Sequence, residues 1–143
     1  MKTTITISKH IINESYAKGI HDISKNKLQK LVYLVYREVA IKYKEPLFQE
    51  KFIVSKEGFV LEPIREYYKS LGEHEYIEVP GKYGLGDLDQ KTKDTLIQVL
   101  DNYGSIPVYD LVEYIHGSNL WNYCMSKGVR TVGYRDIIGK GEV

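Results

Sequence analysis

The sequence is poor in cysteine. Of its 143 residues only Cys124 is a cysteine. A single cysteine cannot form a disulfide within the chain, and it cannot supply the set of thiolates that a cysteine-based zinc site requires. We therefore expect Cys124 to act as a small, buried apolar residue.

The sequence also lacks an excess of either charge. Its 20 basic and 19 acidic residues give a formal net charge of +1. Proteins that bind phosphates of nucleic acid usually carry a clear basic excess, so we do not expect a nucleic-acid partner. Lys25, Lys27 and Lys30 cluster near the start of a predicted helix. Positive charge there opposes the helix dipole, so a solvated rim is expected, with Lys27 able to reach a neighbouring acid.

Long apolar runs are absent. No run approaches the roughly 18 residues that a transmembrane helix needs. The first ten residues, MKTTITISKH, lack the apolar core of a signal peptide. We therefore expect a cytoplasmic protein without a membrane segment. The length favours one domain over residues 1–143.

The strongest pattern present is a long helix over residues 24–43. Its apolar residues follow the i, i+3, i+4, i+7 spacing of one helix face, and further apolar residues lie on its other sides. Ser24 can cap its start. Because several neighbours are needed to bury such a helix, we predict that it is the central element of the fold.

The remaining elements are mostly helical. We predict a mainly α fold, a compact helical bundle around the central helix with a small β-hairpin or a three-stranded sheet. Residues 3–7 alternate and favour a short strand or an extended lead-in, and residues 76–79 favour an edge strand. The other predicted elements are a helix over 8–19, a hairpin of 52–54 with 59–61, helices over 62–72, 89–103, 107–117 and 119–128, a strand at 130–132 and a helical turn at 134–138.

No motif for catalysis, metal or nucleotide binding stands out. The four histidines lack metal-ligand spacing, and the glycines at Gly81, Gly84 and Gly86 follow neither phosphate-loop pattern. Glu73 and Glu75 flank His74 in a segment that we expect to be a solvated loop. We therefore predict no cofactor and no enzymatic activity.

Aromatic residues are the best candidates for binding. The chain has 13 tyrosines, and tyrosine is enriched at protein interfaces. Phe59 follows Gly58 at the predicted hairpin and could be either a core residue or an exposed anchor. Trp121 is expected to fill the corner between two helices, with His116 forming a hydrogen bond across that corner.

Five segments together resemble the Panacea domain, also called the SocA-like antitoxin domain, which occurs in phage-associated proteins. They are KLQKLVYL, EPLFQEKF, a Gly-Phe-Val hairpin before a Tyr-Tyr-Lys helix, a helix ending in NYG, and YIHGSNLW. The resemblance covers residues 8–127 and leaves 128–143 as a C-terminal tail. The family's hairpin usually reads Trp-x-Tyr-Gly-Pro-Val, whereas this chain has Ser55, Glu57, Gly58, Phe59 and Val60 there. The family's Pro-Trp is Leu120-Trp121 here.

The resemblance implies an antitoxin that binds a protein toxin and occludes it without catalysis. Alternatives are delivery of the partner to a protease, or a phage or mobile-element protein that inhibits a host nuclease or defence factor. A DNA-binding regulator using residues 107–127 is a further alternative, although its second helix has only Lys127 as a basic residue. A hydrolase ranks last. The oligomeric state stays open. The residues expected near the partner-binding face are Tyr36, Glu57, Phe59, Tyr67, Tyr68, His116 and Trp121.

Overall fold

The computed structural model describes residues 3–81 and 88–139. Within these ranges the chain forms helices and three short strands around one apolar core. Their bounds are α1 (Thr4–Ala17), α2 (Lys25–Tyr43), β1 (Phe52–Ser55), β2 (Gly58–Val60), α3 (Glu62–Tyr67), α4 (Gln90–Tyr103), α5 (Val108–His116), α6 (Asn119–Lys127), β3 (Thr131–Val132) and α7 (Tyr134–Gly139). None of the helices in the described ranges has the length and apolar content to cross a membrane.

Helix α2 is the centre of the fold, as predicted. The Ser24 hydroxyl accepts a hydrogen bond from the backbone N–H of Lys27 at 3.2 Å, which satisfies one of the free donors at the helix start. The helix ends at Tyr43, and Lys44 follows in the left-handed region with φ of 56°. Helices α1, α3, α4, α5 and α7 and strand β2 all pack against α2. This surrounds α2 and explains why apolar residues occur on most of its circumference.

The three strands form an antiparallel sheet in the order β2-β1-β3. The predicted hairpin is confirmed, with Val54 opposite Phe59 and Ser55 opposite Gly58. Gly58 has a φ of +118°, a conformation that residues with a Cβ rarely adopt. The third strand is β3, which pairs Val132 with Phe52.

Three predicted strand or helix assignments, over residues 3–7, 62–72 and 76–79, differ from the structure. Residues 3–7 are not a strand, because α1 already begins at Thr4 with the Thr3 side chain as its cap. Ile7 is completely buried, and α1 packs against α2, α3 and α4. This tertiary packing outweighs the β-like alternation of Thr and Ile. The helix predicted to reach Gly72 ends at Tyr67. The Leu71 N–H donates to the Tyr68 carbonyl, so the chain continues as a tight turn.

The segment predicted as an edge strand forms one isolated bridge, between Ser24 and Tyr76. Ile77 anchors this segment because its N–H donates to the Ile23 carbonyl at 2.8 Å, and the Tyr16 hydroxyl donates to its carbonyl at 3.2 Å. The positions of Gly84 and Gly86 lie outside the described residues.

The expectation of a solvated lysine rim is wrong for two of the three lysines. Lys27 and Lys30 are fully buried. The Lys27 ammonium binds the two carboxylate oxygens of Asp22 at 2.9 and 3.0 Å, which is the contact with a neighbouring acid that the sequence allowed. The Lys25 ammonium donates to the Leu71 carbonyl at 2.6 Å.

Candidate partner-binding site

The turn of the β-hairpin is attached to the start of α6 and the end of α5. The indole Nε1–H of Trp121 donates to the Ser55 carbonyl at 3.0 Å, and His116 Nε2 forms a hydrogen bond with the Lys56 carbonyl at 2.5 Å. The two rings stack with centroids 4.0 Å apart and planes 22° apart. We call this arrangement of His116 and Trp121 on residues 55–56 the hairpin clamp. Both side chains therefore bind the hairpin, whereas the sequence led us to expect a hydrogen bond across the helix corner.

A cleft of about 610 Å³ opens beside the hairpin turn. Its walls come from four segments that are distant in the sequence: the start of α2, the hairpin, the stretch from α3 to residue 76, and the start of α5. Glu57 of the hairpin turn is exposed and lines the cleft. Tyr76 and Tyr109 also line it and are 57% and 68% exposed. Aromatic side chains with this exposure at a concave surface are available for contact with a partner.

The charges that line this cleft are not equally available. The cations already bind oxygen atoms of this chain: Lys25 binds the Leu71 carbonyl at 2.6 Å, Arg65 binds Glu62 at 2.5 Å and Lys69 binds Glu66 at 2.6 Å. Among the acids, Asp22 binds Lys27. Within the described part of the chain, the Glu57 and Glu73 carboxylates form neither an ion pair nor a hydrogen bond. Among the acidic, lysine and arginine side chains that line the cleft, the carboxylates of Glu57 and Glu73 are therefore the ones left without a partner in the described residues.

A second groove, of about 560 Å³, is lined mainly by residues between 67 and 80 and shares Tyr76 with the cleft. Tyr67 and Tyr68 line it, and their rings meet edge to face with centroids 4.8 Å apart. Tyr67 is 52% exposed, whereas Tyr68 is mostly buried. The Lys9 ammonium lies 5.2 Å from the centre of the Tyr67 ring. Tyr67 thus offers its ring to a partner, and Tyr68 mainly supports it.

Tyr36 and Phe59 lie in the core and not on the surface. The Tyr36 ring packs against Phe48 and Phe52 with centroids 4.9 and 5.2 Å away, and burial raises the pKa of its hydroxyl to about 12. Phe59 is fully buried, with its ring centroid 4.7 Å from that of Tyr33. The structure therefore selects the core alternative for Phe59, and neither residue can touch a partner directly in this conformation.

Lys30 is fully buried, whereas the sequence predicts a solvated position for it. Its side chain passes under the hairpin turn, and its Cε lies 3.5 Å from the place that a Cβ on Gly58 would occupy. Its ammonium is buried and has no hydrogen-bond partner among residues 3–81 and 88–139. Burial lowers the pKa of Lys30 to about 8, and the negative charge of Glu57 opposes part of this shift. The available signal was the position of Lys27 and Lys30 within the same apolar helical pattern as Leu28 and Leu31.

The remaining chemistry-bearing residues do not gather into a second kind of site. Residues 3–81 and 88–139 contain no group of three or more His, Cys, Asp or Glu side chains arranged to hold a metal ion. Cys124 is buried as expected, and burial raises the pKa of its thiol. At the start of α6 the Asn122 amide donates to the carbonyls of His116 and Ser118. This leaves fewer side chains on α6 that could read bases.

Fold and surface together define a mainly helical domain with an exposed cleft lined by tyrosines and by free carboxylates. The model of the family described as antitoxin SocA-like, Panacea domain, matches residues 28–122, well over half of the chain, and the chain belongs to this family. No curated protein and no solved structure matches it. Membership supports an antitoxin-type role in general and a protein partner such as a toxin.

The matched span contains most of the surface described above, although Lys9, Asp22 and Lys25 precede it. All seven residues predicted near the partner-binding face lie between residues 28 and 122, as do Glu73, Tyr76 and Tyr109. The structure places Glu57, Tyr67 and Tyr68 along the two cavities and uses His116 and Trp121 as the hairpin clamp. Tyr76, Tyr109 and Glu73 do not stand out as binding residues in the sequence, because their place in the cleft depends on segments that only the fold brings together.

Proposed function

We propose that this protein is a non-enzymatic antitoxin that neutralises a cognate toxin by binding it directly and covering its working surface. The observation that carries the proposal is the family match, which includes most of the residues that line the cleft and the exposed tyrosines Tyr67, Tyr76 and Tyr109. Tyrosine suits such a role because it offers a large contact area with few rotatable bonds.

The binding face in this proposal consists of Glu57, Tyr67, Tyr76 and Tyr109. These residues line the cleft and the adjoining groove, which share Tyr76. A specific protein interface buries about 1,200–2,000 Å² in total, and a few central aromatic residues usually supply most of its binding energy. The cleft would receive a projection of the toxin, and the surrounding tyrosines would exclude water from the contact.

The test is coexpression with the product of the neighbouring gene in the native host. We expect the toxin to stop growth, the wild-type chain to restore growth, and a tagged chain to copurify with the toxin in a fixed ratio measured by mass spectrometry. The double variant Tyr76→Ala with Tyr109→Ala should lose the complex while remaining folded by circular dichroism. Tyr123→Ala is the matched control, because Tyr123 is an exposed tyrosine on α6 outside both cavities.

Purified components separate occlusion from the alternatives. Inhibition of the purified toxin at equal molar ratio, with no protease present, supports occlusion. Loss of the toxin only inside cells that contain an active protease would instead indicate a protease adaptor. Capture of a host nuclease or defence factor would indicate the phage-type inhibitor, and recovery of DNA alone, lost steeply with added salt, would indicate the regulator.

A further inference from the structure

We propose that the cleft is a receptor for an arginine side chain of the protein partner, which binds against the carboxylates of Glu57 and Glu73 and the rings of Tyr76 and Tyr109. These four side chains line one cleft and come from different segments of the chain. The inference rests on the proposed function in one respect, since it takes the partner to be a protein. It adds the chemistry by which that partner is recognised.

The charged side chains that still lack a hydrogen-bond partner favour a positively charged ligand. Lys25, Arg65 and Lys69 line the cleft but already bind oxygen atoms of this chain. Glu57 and Glu73 have no such partner among the described residues. A cation entering the cleft would therefore gain charge-assisted hydrogen bonds to two carboxylates that have no partner. An anion would meet cations that already bind oxygen atoms of this chain, and Glu57 and Glu73 would repel it. An acidic peptide or a nucleic-acid phosphate is disfavoured for the same reason.

The walls of the cleft favour arginine over lysine. Beside the two exposed tyrosines, the lining includes the apolar residues Val60, Pro107 and Val108. A guanidinium group is planar, is more weakly hydrated than an ammonium group and stacks on aromatic rings. It can also bind a carboxylate through two parallel hydrogen bonds. A surface that combines apolar walls, tyrosine rings and carboxylates matches these properties.

The position of Glu57 is fixed before a partner arrives. The hairpin clamp binds the carbonyls of residues 55 and 56. Within the turn, the Ser55 hydroxyl donates to the Gly58 carbonyl at 3.1 Å and accepts from the Glu57 N–H at 3.2 Å. A backbone ordered in advance lowers the entropy cost of binding. The turn therefore presents Glu57 in a defined place.

Lys30 is buried, whereas Glu57 is exposed, and the Lys30 ammonium does not form a hydrogen bond with the Glu57 carboxylate. The Lys30 ammonium is buried and forms no hydrogen bond with the part of the chain that the structure describes, although the charges of the two residues attract each other. The carboxylate oxygens of Glu57 consequently remain available on the cleft side.

The first test uses short peptides and the full-length, ¹⁵N-labelled protein, and it requires no knowledge of the partner. The probe is acetyl-Gly-Arg-Gly-amide, with acetyl-Gly-Glu-Gly-amide as the charge control. We expect saturable chemical-shift changes at the amides of residues 55–58 and 73–76 with the arginine peptide only. Equal shifts with the glutamate peptide, shifts confined to other regions, or no shifts would overturn the arginine receptor.

The second test uses the captured toxin and the variant Glu57→Gln with Glu73→Gln. Because two charge-assisted contacts are removed, we expect affinity to fall about tenfold or more, with a weaker dependence on salt. Glu113→Gln, an exposed acid on α5 outside both cavities, should leave affinity within about twofold, as expected for an unrelated surface site. An unchanged affinity of the double variant would overturn the inference while leaving toxin binding intact. Failure of the wild-type chain to bind the toxin would instead contradict the proposed function, and the peptide test would still judge the cleft.

Discussion

Burial of Lys30 destabilises the charged form of its side chain. Its ammonium has no hydrogen-bond partner within the described residues, and burial lowers its pKa from 10.5 to about 8. A shift of this size in a fully buried group corresponds to about 3 kcal/mol of unfavourable free energy for the charged form. Lys27, one turn earlier, is also buried, but it binds Asp22. The two lysines therefore form a matched pair for experiment.

We predict that Lys30→Met raises the free energy of unfolding by about 2 kcal/mol at pH 7, because methionine fills similar space without an unsatisfied charge. The lowered pKa means that the folded protein binds fewer protons than the unfolded chain between about pH 8 and pH 10.5. Wild-type stability from this group therefore rises with pH across that window. The advantage of the variant should be complete below pH 8 and should shrink above it. Urea denaturation of both proteins at several pH values measures this.

Lys27→Met is the control for this prediction. It removes an ammonium that already has a carboxylate partner, so it should not give a comparable gain. If Lys30→Met lowered stability at pH 7, or if its effect were the same at pH 7 and pH 10, the buried ammonium would not carry the penalty assigned to it.

At the scale of elements, local signals predicted those helices whose caps and periodicity agree. Ser24, Asp89 and Ser118 each cap the start of a helix, and Gly128 follows the end of α6 with a φ of +68°. Where local pattern and packing disagree, packing decides. The alternation of residues 3–7 favoured a strand, but burial against α2 makes them part of a helix.

The sequence pattern did not indicate which strand pairs with β1 on the side opposite β2. Residues 76–79 had the composition of an edge strand, yet β1 pairs with β3 from the far end of the chain. Pairing of this kind depends on where the helices between the strands place them, and strand composition does not contain that information. The segment 76–79 instead presents Tyr76 to two cavities, which is why its role in the site was not foreseen.

The hairpin clamp yields a prediction at this scale. Trp121→Phe keeps a ring to stack on His116 but removes the indole N–H that binds the Ser55 carbonyl. Loss of one such hydrogen bond should cost about 1 kcal/mol of stability. Because the turn is then less constrained, hydrogen exchange should accelerate at the amides of residues 55–58 and stay unchanged in α4.

Tyr123→Phe, on the same helix, is the control for the clamp and should not alter exchange in the hairpin. If exchange at residues 55–58 were the same in Trp121→Phe and in the wild type, the indole hydrogen bond would not restrain the turn.

For the molecule as a whole, the candidate site illustrates what a sequence can and cannot reveal. Composition drew attention to tyrosine, and the hairpin pattern drew attention to Glu57, which lines the cleft. The sequence could not show that Phe59 points into the core, since an aromatic residue near a turn can face either way, nor that Tyr36 on α2 is covered by neighbouring elements instead of being left on the surface. Nor could it show that Glu57 and Glu73, sixteen positions apart by their numbers, line the same cleft.

The family match ends at residue 122, but the packed fold continues beyond it. Residues after 127 were expected to be a tail with a short strand and a helical turn. Within the described residues of this stretch, 128–139, the chain forms β3, which completes the sheet, and α7, which packs on α2. Val132 and Ile137 are both buried in the main core. The segment that follows the matched region therefore contributes to the stability of the domain that carries the cleft.

Ile137 is the isoleucine of α7 that we expect to contribute most to stability. Its side chain is fully buried on α7, whereas that of its neighbour Ile138 is only partly buried. Truncation of a fully buried isoleucine removes apolar contacts and leaves a cavity, so Ile137→Ala should lower the free energy of unfolding by about 3 kcal/mol, and Ile138→Ala by clearly less. Denaturation in urea, followed by circular dichroism, measures both. Equal effects of the two variants, or a loss below about 1 kcal/mol for Ile137→Ala, would show that α7 lies on the domain without completing its core.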